Sequence, residues 1–204
     1  DYRVTPTQIV ATRRGLEKLN SDLCEVLRIT DLANLYNKRI AESTWQAIRA
    51  SLPNYGVAAD ERVSQRFLSL ISQPARLGEL LHRLHELGVL EKIIPAFGHA
   101  KSLLQFNEYH KYTVDEHCIR AVQAAASFLN DPKLLGQVYR GIKQKRLLHL
   151  ALLIHDIGKG FVEDHSEVGA RIAEQVVQSL KLPQREIEIL QFLVLKHLVM
   201  SHLA

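Results

Sequence analysis

The sequence predicts an all-α protein. Apolar residues recur at helical spacing along most of its 204 residues, and alternating runs of β-branched residues are almost absent. Helix-start signals are also present: Thr113 with Glu116 and Asp164 with Glu167 have the spacing of a capping box. Together these observations favour a bundle of helices.

An N-terminal helical region is predicted for residues 1–105. Its first helix should open at Pro6, and a later one should end at Gly88, a residue favoured just beyond a helix C-terminus. The expected elements are helices over residues 6–29, 43–51, 61–72 and 75–87, a turn over 53–56, and a short helix with a bend over 89–97.

A second helical domain is predicted for residues 106–204. The first capping box starts a helix at Thr113 and places His117 one turn inside it. An apolar helix should then deliver His155 and Asp156 at its C-terminal end. The expected helices cover residues 113–129, 146–157, 164–180 and a last segment from 183, with a loop over 158–163.

Composition is that of an ordinary globular protein, with 47% hydrophobic and 24% charged residues. The net charge of +4 suits an anionic substrate but falls short of the basic stripe of a nucleic-acid binder. Two cysteines without CxxC spacing predict reduced thiols and a cytoplasmic protein. The weak positive charge gives no reason to expect a nucleic acid as a partner. No apolar stretch is long enough to span a bilayer, so a membrane is not expected as a partner either.

The most informative feature is the doublet His155-Asp156 at the end of an apolar run. Core packing gives little reason for an imidazole and a carboxylate where a buried helix unwinds into glycines. A metal site does, because these groups supply a borderline and a hard donor to one cation. Asp156 has two oxygens and is therefore able to bridge two ions.

Three further histidines are candidate ligands: His117, His165 and His197. His165 lies at a helix N-terminus, where the helix dipole favours the neutral imidazole that a metal requires. Lys159 follows the doublet closely, so it is a candidate for contacting a phosphate. The remaining histidines are more often structural in such positions, and we expect no ligand among His82, His85, His99, His149 and His202.

Four segments carry a resemblance to a known family. They are residues 109–117 (YHKYTVDEH), 155–160 (HDIGKG), 164–170 (DHSEVGA) and 196–201 (KHLVMS). The pattern resembles the HD superfamily of metal-dependent phosphohydrolases, and more closely the HD domain of bacterial bifunctional PII uridylyltransferase/uridylyl-removing enzymes. Residues 88–90 and 94–98 are similar to the segment that precedes that domain.

The resemblance implies an HD-type helical bundle that removes UMP from uridylylated PII signal protein in nitrogen regulation. It implies one or two divalent ions (Mn, Mg or Fe). His117, His155 and Asp156 would hold one ion, and His165 and His197 a second, with Asp156 bridging. Asp156 and Lys159 would then be the catalytic residues.

Two departures from the family pattern leave alternatives open. A distal aspartate that follows the last motif in the family does not occur before Ala204, and no Gly-Ser…Asp-x-Asp nucleotidyltransferase pattern is present. We therefore expect a C-terminally truncated fragment of a larger protein, without the uridylyl-adding activity. The alternatives are an HD phosphohydrolase acting on free nucleotides and a non-catalytic helical regulatory module.

Overall fold

A computed structural model describes residues 1–56, 60–101, 103 and 112–199. The chain folds as two compact units, Asp1–Ile93 and Ile94–Ala204. Helices dominate both units, so the predicted all-α class is confirmed. The predicted domain boundary at residue 105 lies outside the described residues and stays a prediction.

Within its described residues, the first unit combines six α-helices with a small sheet of three strands, β1 (Tyr2–Val4), β2 (Gln8–Ala11) and β3 (Arg39–Ile40), in the order β1-β2-β3. The antiparallel pair β1–β2 and the parallel pair β2–β3 build the sheet. Its elements are β1 (Tyr2–Val4), β2 (Gln8–Ala11), α1 (Arg13–Leu19), α2 (Leu23–Leu35), β3 (Arg39–Ile40), α3 (Glu42–Ser51), α4 (Glu61–Ser72), α5 (Leu77–Glu86) and α6 (Val89–Ile93).

The predicted helix over residues 6–29 is wrong in its first part and at its middle. Ile9 and Ala11 are buried at alternate positions, which is the period of a strand. The Thr12 side chain then accepts a hydrogen bond from the Gly15 amide, which starts α1. The Asp22 side chain caps α2 in the same way, so local capping divides the segment into a strand and two helices.

Buried polar groups join the helices of this unit. The amide nitrogen of Asn34 donates to the carbonyls of Leu70 (2.9 Å) and Gln73 (2.7 Å), at the end of α4. Its oxygen accepts from the Arg76 amide (2.7 Å), just before α5. At the other end of α5, Gly88 follows the C-cap residue Leu87 and has φ +71°, as its predicted role after a helix end requires.

The second unit places α10 (Lys145–Ile154) beside both α8 (Val114–Ser127) and α12 (Gln184–Leu195), and α11 (His165–Ser179) packs along α12. Its described helices are α7 (Phe97–Ala100), α8 (Val114–Ser127), α9 (Leu134–Gly141), α10 (Lys145–Ile154), α11 (His165–Ser179) and α12 (Gln184–Leu195). Asp164 caps α11 through the amides of Ser166 and Glu167, as predicted. Thr113 precedes α8 as predicted, but its side chain makes no capping hydrogen bond.

The structure differs from the sequence expectation in two further places. Helix α9 was not predicted, because only Gly136 and Tyr139 of its residues are buried, too few to give an apolar period. Helix α10 ends at Ile154 rather than at Ile157, which makes His155 its C-cap. In the described part of the chain, none of the helices is long and apolar enough to cross a membrane.

Candidate metal centre

His155 and Asp156 lie at the C-terminal end of α10. The helix is apolar and buried along Leu147, Leu150, Leu153 and Ile154, so it fixes the position of the turn that follows. Only 4% of the Asp156 side chain is exposed, compared with 13% of that of His155. A carboxylate this deeply buried requires partners that compensate its lost hydration.

The first group of candidate ligands lies around Oδ2 of Asp156. His117, on α8, places its Nε2 atom 3.2 Å from Nε2 of His155 and 3.5 Å from Oδ2 of Asp156. Nε2 of His155 is itself 3.4 Å from Oδ2 of Asp156. The predicted convergence of three residues from two helices is therefore present.

The second group of candidate ligands consists of Asp156, His165 and His197. Nε2 of His197, just beyond α12, lies 3.4 Å from Oδ1 of Asp156. The His165 ring, at the start of α11, lies 5.6 Å from the His197 ring between centroids. In each group the possible ligand atoms are all within 4.8 Å of one another, and Asp156 is common to both groups.

Backbone carbonyls orient two of the imidazoles. Nδ1 of His155 lies 2.8 Å from the Leu152 carbonyl, and Nδ1 of His197 lies 2.6 Å from the Val194 carbonyl. A carbonyl only accepts, so the proton resides on Nδ1 in both rings. Each Nε2 then directs its lone pair at the centre, as in metal sites whose second nitrogen is held by a backbone carbonyl.

The donors fit a divalent cation. Within the described residues, Nε2 of His165 is buried and lacks a hydrogen-bond partner. Burying such atoms without a partner is costly. Four imidazoles and a carboxylate are borderline and hard donors, a set that suits Mn, Fe or Zn better than Ca.

The charges around Asp156 favour its ionised form. Burial alone would raise the pKa of this carboxyl, but the contacts with His197, His155 and Lys159 outweigh it, so the pKa is lowered. Burial lowers the pKa of His155, which keeps this ring neutral at pH 7. The contact with Asp156 raises the pKa of His197, so a cation at this position would compete with a proton.

Lys159 lies inside the centre. Its Nζ atom donates to Oδ2 of Asp156 at 2.7 Å, and 12% of the side chain is exposed. The sequence predicted that this lysine contacts a phosphate, and its position beside the shared carboxylate is compatible with that role. The role itself stays a prediction.

A glycine contact that the sequence did not reveal positions the second group. A Cβ atom added at Gly158 would lie 2.2 Å from the His165 carbonyl oxygen and 2.4 Å from the Gly169 nitrogen. Only a glycine permits this approach, which brings the start of α11 against the His155-Asp156 turn. The partner segment belongs to the helix that follows the loop, and the sequence does not show that the helix folds back onto this glycine.

Two other histidines have structural partners, and the expectation that they are not ligands stays a prediction. Nε2 of His149 lies 2.9 Å from the buried Tyr139 hydroxyl. Nδ1 of His85 lies 3.2 Å from Oε1 of Glu91. Residues 109–111 and 200–201 of the quoted motifs, together with His202, lie outside the described residues.

Comparison with known proteins agrees with this geometry. Residues 114–204 match the sequence profile of the HD domain, and the second unit therefore belongs to the HD domain family. The chain is 34% identical over 195 residues to the bifunctional uridylyltransferase/uridylyl-removing enzyme of Ruegeria pomeroyi. That alignment covers 92% of this chain and 22% of the relative, so the chain spans about a fifth of the length of that enzyme.

Proposed function

We propose that this chain is a metal-dependent phosphodiesterase that removes UMP from uridylylated PII signal protein. One observation carries the proposal: Asp156 is common to two groups of possible metal ligands, with His117 and His155 near its Oδ2 and His197, which is grouped with His165, near its Oδ1. The HD domain match supports phosphohydrolase chemistry, and the similarity to a uridylyl-removing enzyme supports the substrate. PII and nitrogen regulation follow from the family resemblance.

In this proposal His117, His155 and Asp156 hold one ion, and Asp156, His165 and His197 hold the second. When bound, a divalent cation such as Mn, Mg or Fe supplies Lewis-acid chemistry, lowering the pKa of water and neutralising phosphoryl charge. The Leu152 and Val194 carbonyls keep the Nε2 lone pairs directed inward.

Lys159 is the residue of this chain that we assign to the phosphate. Its ammonium pairs with Asp156 in the structure. We assign this ammonium to a nonbridging phosphoryl oxygen of the substrate, where negative charge develops during hydrolysis. The family resemblance implies that UMP is attached to a tyrosine of PII, and a phenolate leaves with less help from an acid than an aliphatic alkoxide.

The experiment is release of UMP from uridylylated PII. The chain is incubated with Mn²⁺ and the modified protein, and free UMP is quantified by chromatography. We expect release by the unchanged chain and none by Asp156→Asn or His117→Ala. Free UMP esters and cyclic nucleotides are assayed in parallel.

The outcomes separate the candidate functions. Hydrolysis of free nucleotides with no release from uridylylated PII would overturn the substrate and favour a nucleotide phosphohydrolase. Failure to bind Mn²⁺ at all, with no hydrolysis of either substrate, would overturn the enzymatic proposal and favour a non-catalytic helical module.

A further inference from the structure

The loop that follows the candidate metal centre carries an exposed aromatic ring. Phe161 is 43% exposed and Val162, next to it, is fully exposed. Single exposed apolar residues are common on protein surfaces and need no explanation by themselves. Phe161 differs because its ring contacts the His99 ring and because it follows Lys159 closely in the sequence.

The Phe161 ring rests on another ring. Its centroid lies 4.3 Å from that of His99 on α7, with the planes tilted by 34°. This distance is at the short end for aromatic pairs, so the two rings are in firm contact. His99 supports the Phe161 ring, and part of the Phe161 ring remains open to solvent.

Gly160 holds the loop in this position. Its φ of +89° is a conformation that other residues rarely adopt, and an added Cβ would lie 2.6 Å from Cδ2 of Leu103. The same Cβ would lie 3.4 Å from Nε2 of His99. The loop therefore follows a close path over Leu103 and His99, which places Phe161 on the histidine.

Phe161 is close in sequence to Lys159, the residue that we assign to the phosphate. Phe161 is two positions after Lys159, whose Nζ lies 2.7 Å from Oδ2 of Asp156, and the Cα atoms of such a pair are roughly 7 Å apart at most. In a 5′-nucleotide the base is separated from the phosphate by one ribose. A phosphate at Lys159 therefore leaves the base within reach of Phe161.

We propose that Phe161, supported by His99, stacks on the pyrimidine base of the substrate and determines its preference for a nucleotidyl group. The inference rests on the proposed function, since it assumes a uridylyl phosphodiester in the centre. Stacking suits uracil because the base presents a neutral planar face, and aromatic side chains bind nucleobases in this manner.

Two synthetic esters with the same leaving group test the inference. Uridine 5′-(p-nitrophenyl phosphate) carries the base, and methyl p-nitrophenyl phosphate lacks it, so the ratio of their kcat/KM values isolates the contribution of the uridine. We expect Phe161→Leu to lower this ratio about tenfold, and Phe161→Trp to preserve it. Val162→Ala, a change in the same loop that removes no ring, should leave the ratio unchanged.

A binding measurement reports on the same contact without turnover. UMP and ribose 5-phosphate share the phosphate and the sugar, and calorimetry should show that UMP binds more tightly to the unchanged chain. Phe161→Leu should remove the difference. An equal affinity for both ligands in the unchanged chain would overturn the inference.

The stacking role of Phe161 and the proposed phosphodiesterase reaction can be disproved separately. If both esters are hydrolysed and the ratio is the same in Phe161→Leu as in the unchanged chain, the stacking role is wrong while the phosphodiesterase stands. If neither ester is hydrolysed but UMP binding depends on Phe161, the proposed reaction is wrong and the base contact stands.

Discussion

Nε2 of His117 and Nε2 of His155 lie 3.2 Å apart, across the junction of α8 and the end of α10. The Leu152 carbonyl assigns the His155 proton to Nδ1, so Nε2 of His155 is an acceptor. Oδ2 of Asp156 is a second acceptor, within 3.5 Å of the Nε2 atoms of both rings. A proton or a cation must therefore lie among these atoms.

The shared carboxylate predicts a particular pattern of metal loss. His117→Ala should remove one of two bound Mn²⁺ ions and His165→Ala the other, whereas Asp156→Ala should remove both, because ligands of a small site are rarely dispensable. Calorimetric titration with Mn²⁺ measures the stoichiometry. His82→Ala, a histidine of the first unit, is the control and should bind as the unchanged chain does.

Lys159→Ala should slow UMP release about 100-fold, the order expected for losing one donor to the developing phosphoryl charge. Its metal content should be unchanged, since the lysine pairs with Asp156 but is not a ligand. Lys159→Arg should retain part of the rate. Rate assays together with elemental analysis check this, and loss of metal from the alanine variant would refute the phosphate role.

Gly158→Ala should disturb both the fold and the second group of ligands. Its Cβ would meet the backbone of His165 and Gly169, which forces α11 away from the turn. We expect a loss of about 1–3 kcal/mol in the free energy of unfolding and weaker Mn²⁺ binding. Calorimetry and thermal unfolding followed by circular dichroism measure these effects.

Gly141 offers a matched control for this substitution. A Cβ there would have no atom within 4 Å, so Gly141→Ala should change stability by no more than about 0.5 kcal/mol and leave metal binding intact. Wild-type metal affinity in Gly158→Ala would contradict the importance of the glycine contact.

Asp60 should make the stability of the first unit depend on pH. Its side chain accepts a hydrogen bond from the Val63 amide at the start of α4, and this bond lowers the pKa of the carboxyl. A lowered pKa means that the ionised form favours the folded state. This contribution is complete above the unfolded pKa of about 3.9 and is lost as the pH falls through the lower, folded value.

The measurement compares Asp60→Ala with the unchanged chain. We expect a deficit of about 1 kcal/mol at pH 7 that narrows below roughly pH 4. Trp45 is the chain's single tryptophan and is buried in the first unit, so its fluorescence during urea unfolding reports on that unit. Asp60→Asn keeps a capping oxygen without a charge, and its advantage over Asp60→Ala should not vary with pH.

The sequence predicted the residues of the candidate centre better than the elements of the first unit. His155, Asp156 and the capping residue Asp164 depend on local signals at helix ends, which are visible in a few consecutive residues. The strand Gln8–Ala11 was missed because four residues are too few to establish an alternating pattern next to the apolar helices that follow.

Contacts between residues on separate elements could not be predicted from the sequence. The approach of Gly158 to Gly169 and the contact of Phe161 with His99 join residues on different elements. Each depends on the path of the backbone through the fold. A glycine after a doublet, or an aromatic residue in a loop, does not show which segment it will meet.

Anomalous X-ray scattering from crystals grown with Mn²⁺ tests the central claim most directly. For the proposed metal centre we expect anomalous density between Asp156 and the pair His117 and His155, and a second peak between Asp156 and the pair His165 and His197. Density confined to other parts of the molecule, or its absence at the Asp156 carboxylate, would contradict the metal centre.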